Sequence, residues 1–112
     1  MVKVLVVEDE ASIREMIALN LRLAGMEAVE AESAEAALPL LEKKPGCDAA
    51  ILDVMLPGMN GFDLCARIRE QGRRIPVIFL SAKCDIVDKS IGFRAGGDDY
   101  VTKPFDSTEL LL

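Results

Sequence analysis

Short runs of apolar, often β-branched residues alternate along this chain with longer segments in which apolar residues recur at helical spacing. The short runs suit strands that are buried on both faces, and the longer segments suit amphipathic helices. Parallel strands need a crossover between them, so a regular alternation of this kind is typical of a parallel sheet covered by helices. The pattern predicts an α/β fold built from five strand–helix units.

The predicted strands occupy residues 2–7, 27–31, 48–53, 77–80 and 99–102. The predicted helices run from Ile13 to near Gly25, from a Ser33 cap to about Lys44, from about Phe62 to Gln71, from about Asp85 to Ala95, and from an Asp106–Glu109 capping box to the end of the chain. Pro39 lies inside the second helix, where its missing N–H is expected to kink the helix or displace its start.

Length and composition favour a single domain. With 112 residues, 51% of them apolar, we expect residues 1–112 to fold as one unit whose last helix is cut short. The longest apolar runs, such as Val4–Val7, are too short to cross a bilayer, and no charged leader precedes Val4, so we expect a cytoplasmic protein without membrane contact. The cysteines are odd in number and lack CxxC spacing, which favours reduced thiols.

The net charge and the lack of histidine argue against some classes of function. A net charge of -6 argues against direct nucleic-acid binding by this domain, because phosphates are neutralised by a basic face. Histidine is absent, so carboxylates, hydroxyls and lysines are the groups available for chemistry.

Polar residues follow the predicted strands. Strand one ends in Glu8-Asp9-Glu10, strand three in Asp53, strand four in Ser81 and strand five in Lys103-Pro104. Because ligands bind outside the carboxyl ends of parallel strands, we expect these side chains to share one site.

The acids of this site would repel one another unless a cation lay among them. Oxygen ligands suit Mg²⁺, with Mn²⁺ tolerated, better than zinc. An ionised Asp53 beside Mg²⁺ and Lys103 is a plausible nucleophile toward an activated phosphoryl group, whose oxygens Lys103 and Ser81 would hold.

Four motifs carry a family resemblance that covers almost the whole chain: VLVVEDE at 4–10, ILDVMLPGMNG at 51–61, LSA at 80–82 and DDYVTKPF at 98–105. Together they resemble the receiver domains of two-component response regulators. The resemblance implies a flavodoxin-like three-layer sandwich with strand order 2-1-3-4-5.

The resemblance also implies roles for single residues. Asp53 would accept a phosphoryl group from a sensor histidine kinase. Asp9, Asp53 and the Met55 backbone carbonyl would ligate Mg²⁺, and Glu8 would reach the metal through water.

Further implied residues relay the signal. Ser81 and Lys103 would contact the phosphoryl group, and the Tyr100 ring would turn inward when Ser81 moves. A cis bond would precede Pro104 and aim Lys103 at the site.

Within the family, Asp98-Asp99-Tyr100 and Lys103-Pro104-Phe105 resemble the OmpR/PhoB branch. That branch implies a DNA-binding output domain outside this chain and dimerisation through the face of helix four, strand five and helix five. The charged residues that could contribute are Lys89, Arg94, Asp98 and Glu109. With helix five cut short, we expect a monomer or a weak dimer.

Three alternatives stay open. An aspartate-nucleophile phosphatase or phosphotransferase usually has a second Asp two residues after the nucleophile, where this chain has Met55. A flavin-binding protein needs a phosphate loop after strand one, where the acids of 8–10 would repel phosphate. A phosphorylation-independent interaction module would have a degenerate site.

Met55 and Lys83 offer no group that orients an attacking water, which predicts slow self-dephosphorylation and no separate substrate turnover.

Overall fold

The computed structural model describes residues 1–43, 46–81 and 99–102. Its elements in chain order are β1 (Lys3–Val7), α1 (Ala11–Leu23), β2 (Glu27–Ala31), α2 (Ala34–Glu42), β3 (Ala49–Asp53), α3 (Gly61–Glu70), β4 (Val77–Ser81) and β5 (Asp99–Thr102). The helices predicted at 85–95 and from Asp106 onwards lie outside the described residues. Within the described ranges, no helix is both long enough and apolar enough to span a membrane.

The five strands form one parallel sheet in the order β2-β1-β3-β4-β5. The register places Val6 of β1 beside Glu30 of β2 and Ile51 of β3. At the carboxyl end of β3, Asp53 pairs with Leu80 of β4. The predicted flavodoxin-like fold and its strand order are confirmed.

Side chains alternate between the two faces of the sheet, so each face has its own apolar core. On one face, Val4, Val6 and Ile51 pack with Ile17 and Leu21 of α1. On the opposite face, the intervening strand residues pack with α2 and α3. The largest buried side chains there are Leu5, Leu52 and Phe79 of the strands and Leu41, Leu64 and Ile68 of the helices. Helices on both faces bury four of the five residues of β1 and of β3, which explains why the buried positions of these strands are almost all apolar.

The start of α2 follows from its cap. The Ser33 side chain accepts a hydrogen bond from the Ala36 N–H at 3.0 Å, so the helix begins at Ala34 as predicted. Pro39 lies within the helix and does not displace this start. The helix ends at Glu42, where Lys43 turns to extended backbone, two residues before the predicted end near Lys44.

The cysteines that the structure describes are core residues. Cys47 and Cys65 carry buried thiols that pack with the apolar side chains between the sheet and α2 and α3. This agrees with the expectation of reduced cysteines for these two positions, and Cys84 lies outside the described residues.

Candidate functional site

Three carboxylates meet at the carboxyl ends of β1 and β3. Glu8, Asp9 and Asp53 each place an oxygen so that the three atoms lie within 4.8 Å of one another. Glu8 is 0% exposed and Asp53 3%, whereas Asp9 is open to solvent. The prediction that these acids converge is confirmed, because β1 and β3 are neighbours in the sheet.

The charges of this acidic cluster, formed by Glu8, Asp9 and Asp53, make it a candidate cation site. At a separation of about 5 Å and an effective dielectric constant of about 20, two carboxylates repel by about 3 kcal/mol. Buried carboxylates also lose hydration, which is tolerated only when another charge or a set of donors compensates. The cluster offers oxygen ligands, which suit a hard divalent ion such as Mg²⁺.

The backbone of Glu8 is fixed from both sides. Its N–H donates to the Ala31 carbonyl at the end of β2 at 3.1 Å. Its own carbonyl accepts from Arg14 Nη1 of α1 at 2.8 Å. Its carboxylate Oε1 accepts from the Glu10 N–H at 3.2 Å, which folds the turn between β1 and α1 around the acid. The position of Glu8 is therefore set by β2 and α1 together.

Asp53 is the last residue of β3, and its carboxylate is organised by the turn that follows. Asp53 Oδ1 accepts a hydrogen bond from the Met55 N–H at 3.1 Å, a local turn typical of aspartate. The Val54 N–H donates to the Leu80 carbonyl at 3.0 Å, so pairing with β4 continues past the carboxylate. Met55, two residues further on, is 72% exposed.

Gly61 allows α3 to start directly against Asp53. A Cβ atom at residue 61 would collide with the Asp53 carbonyl oxygen and lie 3.2 Å from the Val54 Cα. The Gly61 N–H also donates to the Val54 carbonyl at 3.3 Å. The helix was predicted to begin at about Phe62, whereas Gly61 is the first residue of α3 and a close backbone contact of the site. The backbone contact could not be read from the sequence because it depends on how α3 docks.

Hydrogen bonds at Met59 and Asn60 fix the later part of the loop between β3 and α3. Asn60 and Asp63 form a capping box, with Asn60 Oδ1 accepting from the Asp63 N–H at 2.9 Å. The Met59 N–H donates to Glu35 Oε2 of α2 at 3.2 Å. Glu35 lies close to Gly58, whose φ of 73° is one that glycine adopts readily. Glu35 was not predicted as a site residue, and an exposed helix glutamate gives no signal of such a contact.

Of the other predicted site residues, the structure describes the backbone of Ser81 and of Tyr100. β4 ends at Ser81, one residue beyond the Leu80 that pairs with Asp53, so Ser81 lies at the same edge of the sheet. Tyr100 is on β5, paired with Phe79. Lys103 and Pro104 lie outside the described residues. The roles of these four residues remain predictions.

Arg14 is a further residue of the site that was not predicted. Its guanidinium contacts the Glu8 carbonyl and lies 3.5 Å from Glu30 Oε1. The available signal was its place in the first turn of α1, where the helix dipole disfavours a cation.

Comparison with known proteins agrees with this geometry. The family model described as "Response regulator receiver domain" matches residues 4–112. A probable transcriptional regulatory protein of Picosynechococcus sp. is 44% identical over 115 residues, covering 97% of this chain and 46% of the relative. The chemotaxis protein CheY4 of Vibrio cholerae superposes with a TM-score of 0.94 at 34% identity, covering 99% of this chain and 93% of that chain.

A longer solved structure is similar as well. The response regulator DrrB of Thermotoga maritima, described as an OmpR/PhoB homologue, gives a TM-score of 0.87 at 34% identity, covering 99% of this chain and 49% of that chain. The chain spans about half the length of the curated relatives it matches. The match of the family model across 4–112 shows that this chain belongs to the response regulator receiver domain family.

Proposed function

We propose that this domain is a phosphorylation-dependent switch and that Asp53 accepts the phosphoryl group from a sensor histidine kinase. The observation that carries the proposal is the acidic cluster, in which the buried Asp53 carboxylate lies beside Glu8 and Asp9. A buried carboxylate among like charges at a sheet edge is costly for folding, which favours a functional reason for its presence.

In the proposed reaction, an oxygen of the ionised Asp53 carboxylate attacks the phosphorus of a phosphohistidine. A new O–P bond forms, the N–P bond breaks, and its electron pair leaves with the imidazole nitrogen. Mg²⁺, for which Mn²⁺ would substitute, supplies positive charge against the phosphoryl oxygens when bound. Asp9, Asp53 and the Met55 carbonyl would hold the metal, with Glu8 acting through water.

The residues that complete the switch are proposed from the family pattern. Lys103 and the Ser81 hydroxyl would bind phosphoryl oxygens, and Tyr100 would follow Ser81 inward. Pro104, after a cis bond, would aim Lys103. The position of Ser81 at the same sheet edge as Asp53 supports this assignment.

The output is proposed from the longer relatives. Residues 1–112 would act as the receiver domain of a cytoplasmic transcriptional regulator, with a DNA-binding output domain that this chain does not contain. Activated domains would pair through the face of helix four, β5 and helix five. Hydrolysis of the acyl phosphate would be slow and would not amount to turnover of a separate substrate, since the exposed Met55 cannot orient a water.

The test is intact-mass spectrometry after incubation with acetyl phosphate and Mg²⁺. Wild type is expected to gain one phosphoryl group, and Asp53→Asn none. Asp48→Asn is the matched control, because Asp48 is an exposed aspartate that precedes β3 at the opposite edge of the sheet. No adduct on folded, Mg²⁺-binding wild type would favour the phosphorylation-independent module instead. Continuous release of phosphate without a retained adduct would favour a phosphatase.

A further inference from the structure

Arg14 occupies an unfavourable position for a cation. It lies in the first turn of α1, where the partial positive charge of the helix N-terminus favours acidic side chains. Its side chain is nevertheless only 17% exposed, so the guanidinium has given up most of its hydration. Both costs need compensation from specific contacts.

The contacts of Arg14 join three elements. Nη1 donates to the Glu8 carbonyl at 2.8 Å, and Nε lies 3.5 Å from Glu30 Oε1 on β2. The Glu8 carbonyl follows the last residue of β1, where strand pairing ends and a buried carbonyl requires another donor. Arg14 supplies that donor, and Glu30 keeps the guanidinium in place.

We propose that Arg14 is a positioning residue that holds the Glu8–Glu10 turn in the geometry that binds Mg²⁺, with Glu30 as its anchor. The inference rests on the proposed function, because it assumes that the acidic cluster binds the metal. The planar guanidinium spans the Glu8 carbonyl and the Glu30 carboxylate at once, which the compact ammonium of lysine does not reproduce. Arg14→Lys therefore keeps the charge and removes the double contact.

Arg22 provides a matched control on the same helix. Arg22 Nη2 lies 3.3 Å from Glu30 Oε2 and donates to the Ala28 carbonyl at 3.2 Å. It thus shares Glu30 with Arg14 but contacts β2 away from the acidic cluster. Arg22→Lys perturbs the same ion-pair network without touching the Glu8 carbonyl.

The experiment is calorimetric titration of Mg²⁺ into wild type, Arg14→Lys and Arg22→Lys, together with hydrogen exchange of the metal-free proteins. Loss of a group that orients metal ligands typically weakens affinity by about tenfold or more, which is the result expected for Arg14→Lys. Arg22→Lys is expected to stay within about twofold of wild type, as for an exposed ion pair. Without metal, the Glu10 amide should exchange faster in Arg14→Lys than in Arg22→Lys.

The outcomes separate the two proposals. Equal Mg²⁺ dissociation constants for wild type and Arg14→Lys would overturn the positioning role of Arg14 and leave the proposed function standing. No binding by wild type would overturn the magnesium site and the inference with it. Should Arg14→Lys fail to fold, Glu30→Gln decides, since loosening only the anchor should weaken Mg²⁺ binding by about threefold. Unchanged binding in Glu30→Gln would count against the role of the anchor and of Arg14.

Discussion

At the scale of single residues, the site depends on a close backbone contact and on the hydrogen bonds of a buried acid. Gly61 packs its α-carbon against the carbonyl of Asp53, the proposed phosphoacceptor. Glu8 is buried with its N–H, carbonyl and carboxylate all engaged. The Asp53 carboxylate is therefore held by backbone geometry as much as by neighbouring side chains.

Gly61→Ala tests this close packing. The added methyl group must displace the backbone of 53–54, and overpacking of this kind costs about 1–3 kcal/mol of unfolding free energy. Mg²⁺ affinity should fall as well, because the displaced backbone carries the Asp53 carboxylate. Urea unfolding and Mg²⁺ titration measure the two effects. Gly25→Ala is the control: Gly25 has a φ of 85° and open space around it, so this variant should lose about 1 kcal/mol and keep its Mg²⁺ affinity.

Cys47 gives a residue-scale prediction about pH. Burial raises the pKa of the Cys47 thiol above its ordinary value of 9.0, so the thiol stays protonated and unreactive at neutral pH. Iodoacetamide at pH 8 should label Cys47 in the folded protein far more slowly than in urea, measured on the peptide that contains it. Equal rates would contradict the buried position.

The raised pKa of Cys47 also makes the free energy of unfolding depend on pH. The folded state holds the thiol proton more tightly than the unfolded state does, so the contribution of this group is fully present below pH 9.0. It is lost as the pH rises above that value, because the unfolded thiol ionises first.

At the scale of elements, helix caps set where the site loops begin and end. Ser33 caps α2 through one hydrogen bond, whereas Asn60 caps α3 within a reciprocal capping box. Ser33→Ala and Asn60→Ala should each lower the free energy of unfolding by about 1 kcal/mol. Only Asn60→Ala should also weaken Mg²⁺ binding, because Asn60 lies in the loop that follows Asp53. Equal Mg²⁺ affinities in the two variants would contradict the coupling of cap and site.

Element positions were largely predictable from the sequence. The bounds of β2 and β5 match the prediction, and Ser33 marked the start of α2, because caps and apolar runs act locally. From the rule that ligands bind at the carboxyl ends of parallel strands, the sequence correctly predicted that Glu8, Asp9 and Asp53 lie close together. The roles of Gly61, Arg14 and Glu35 were not predicted, since each arises from how separate elements pack: α3 on β3, α1 on the end of β1, and α2 on the loop after β3.

At the scale of the whole molecule, the strand order creates the site. The chain leaves β1 toward α1 on one face of the sheet and leaves β3 toward α3 on the opposite face. The two connections diverge, so a crevice opens between the carboxyl ends of these neighbouring strands, as at other switch points of parallel sheets. Glu8 and Asp53 flank that crevice.

Metal binding at this crevice should stabilise the whole domain. A ligand that binds only the folded state adds about 2.7 kcal/mol at a concentration 100 times its dissociation constant. Mg²⁺ is therefore expected to raise the Tm of wild type by several degrees in a thermal scan. Asp9→Asn removes an exposed carboxylate of the cluster and should abolish most of this shift. Glu15→Gln, an exposed acid on α1, is the control and should keep it.

The most direct measurement of the central claim is chemical mapping of the phosphorylated residue. After incubation with acetyl phosphate and Mg²⁺, borohydride reduces an aspartyl phosphate to homoserine, and peptide mass spectrometry locates the change. We expect homoserine at residue 53, dependent on Mg²⁺. Homoserine at another aspartate, or none in protein that carries the phosphoryl adduct, would contradict Asp53 as the phosphoacceptor.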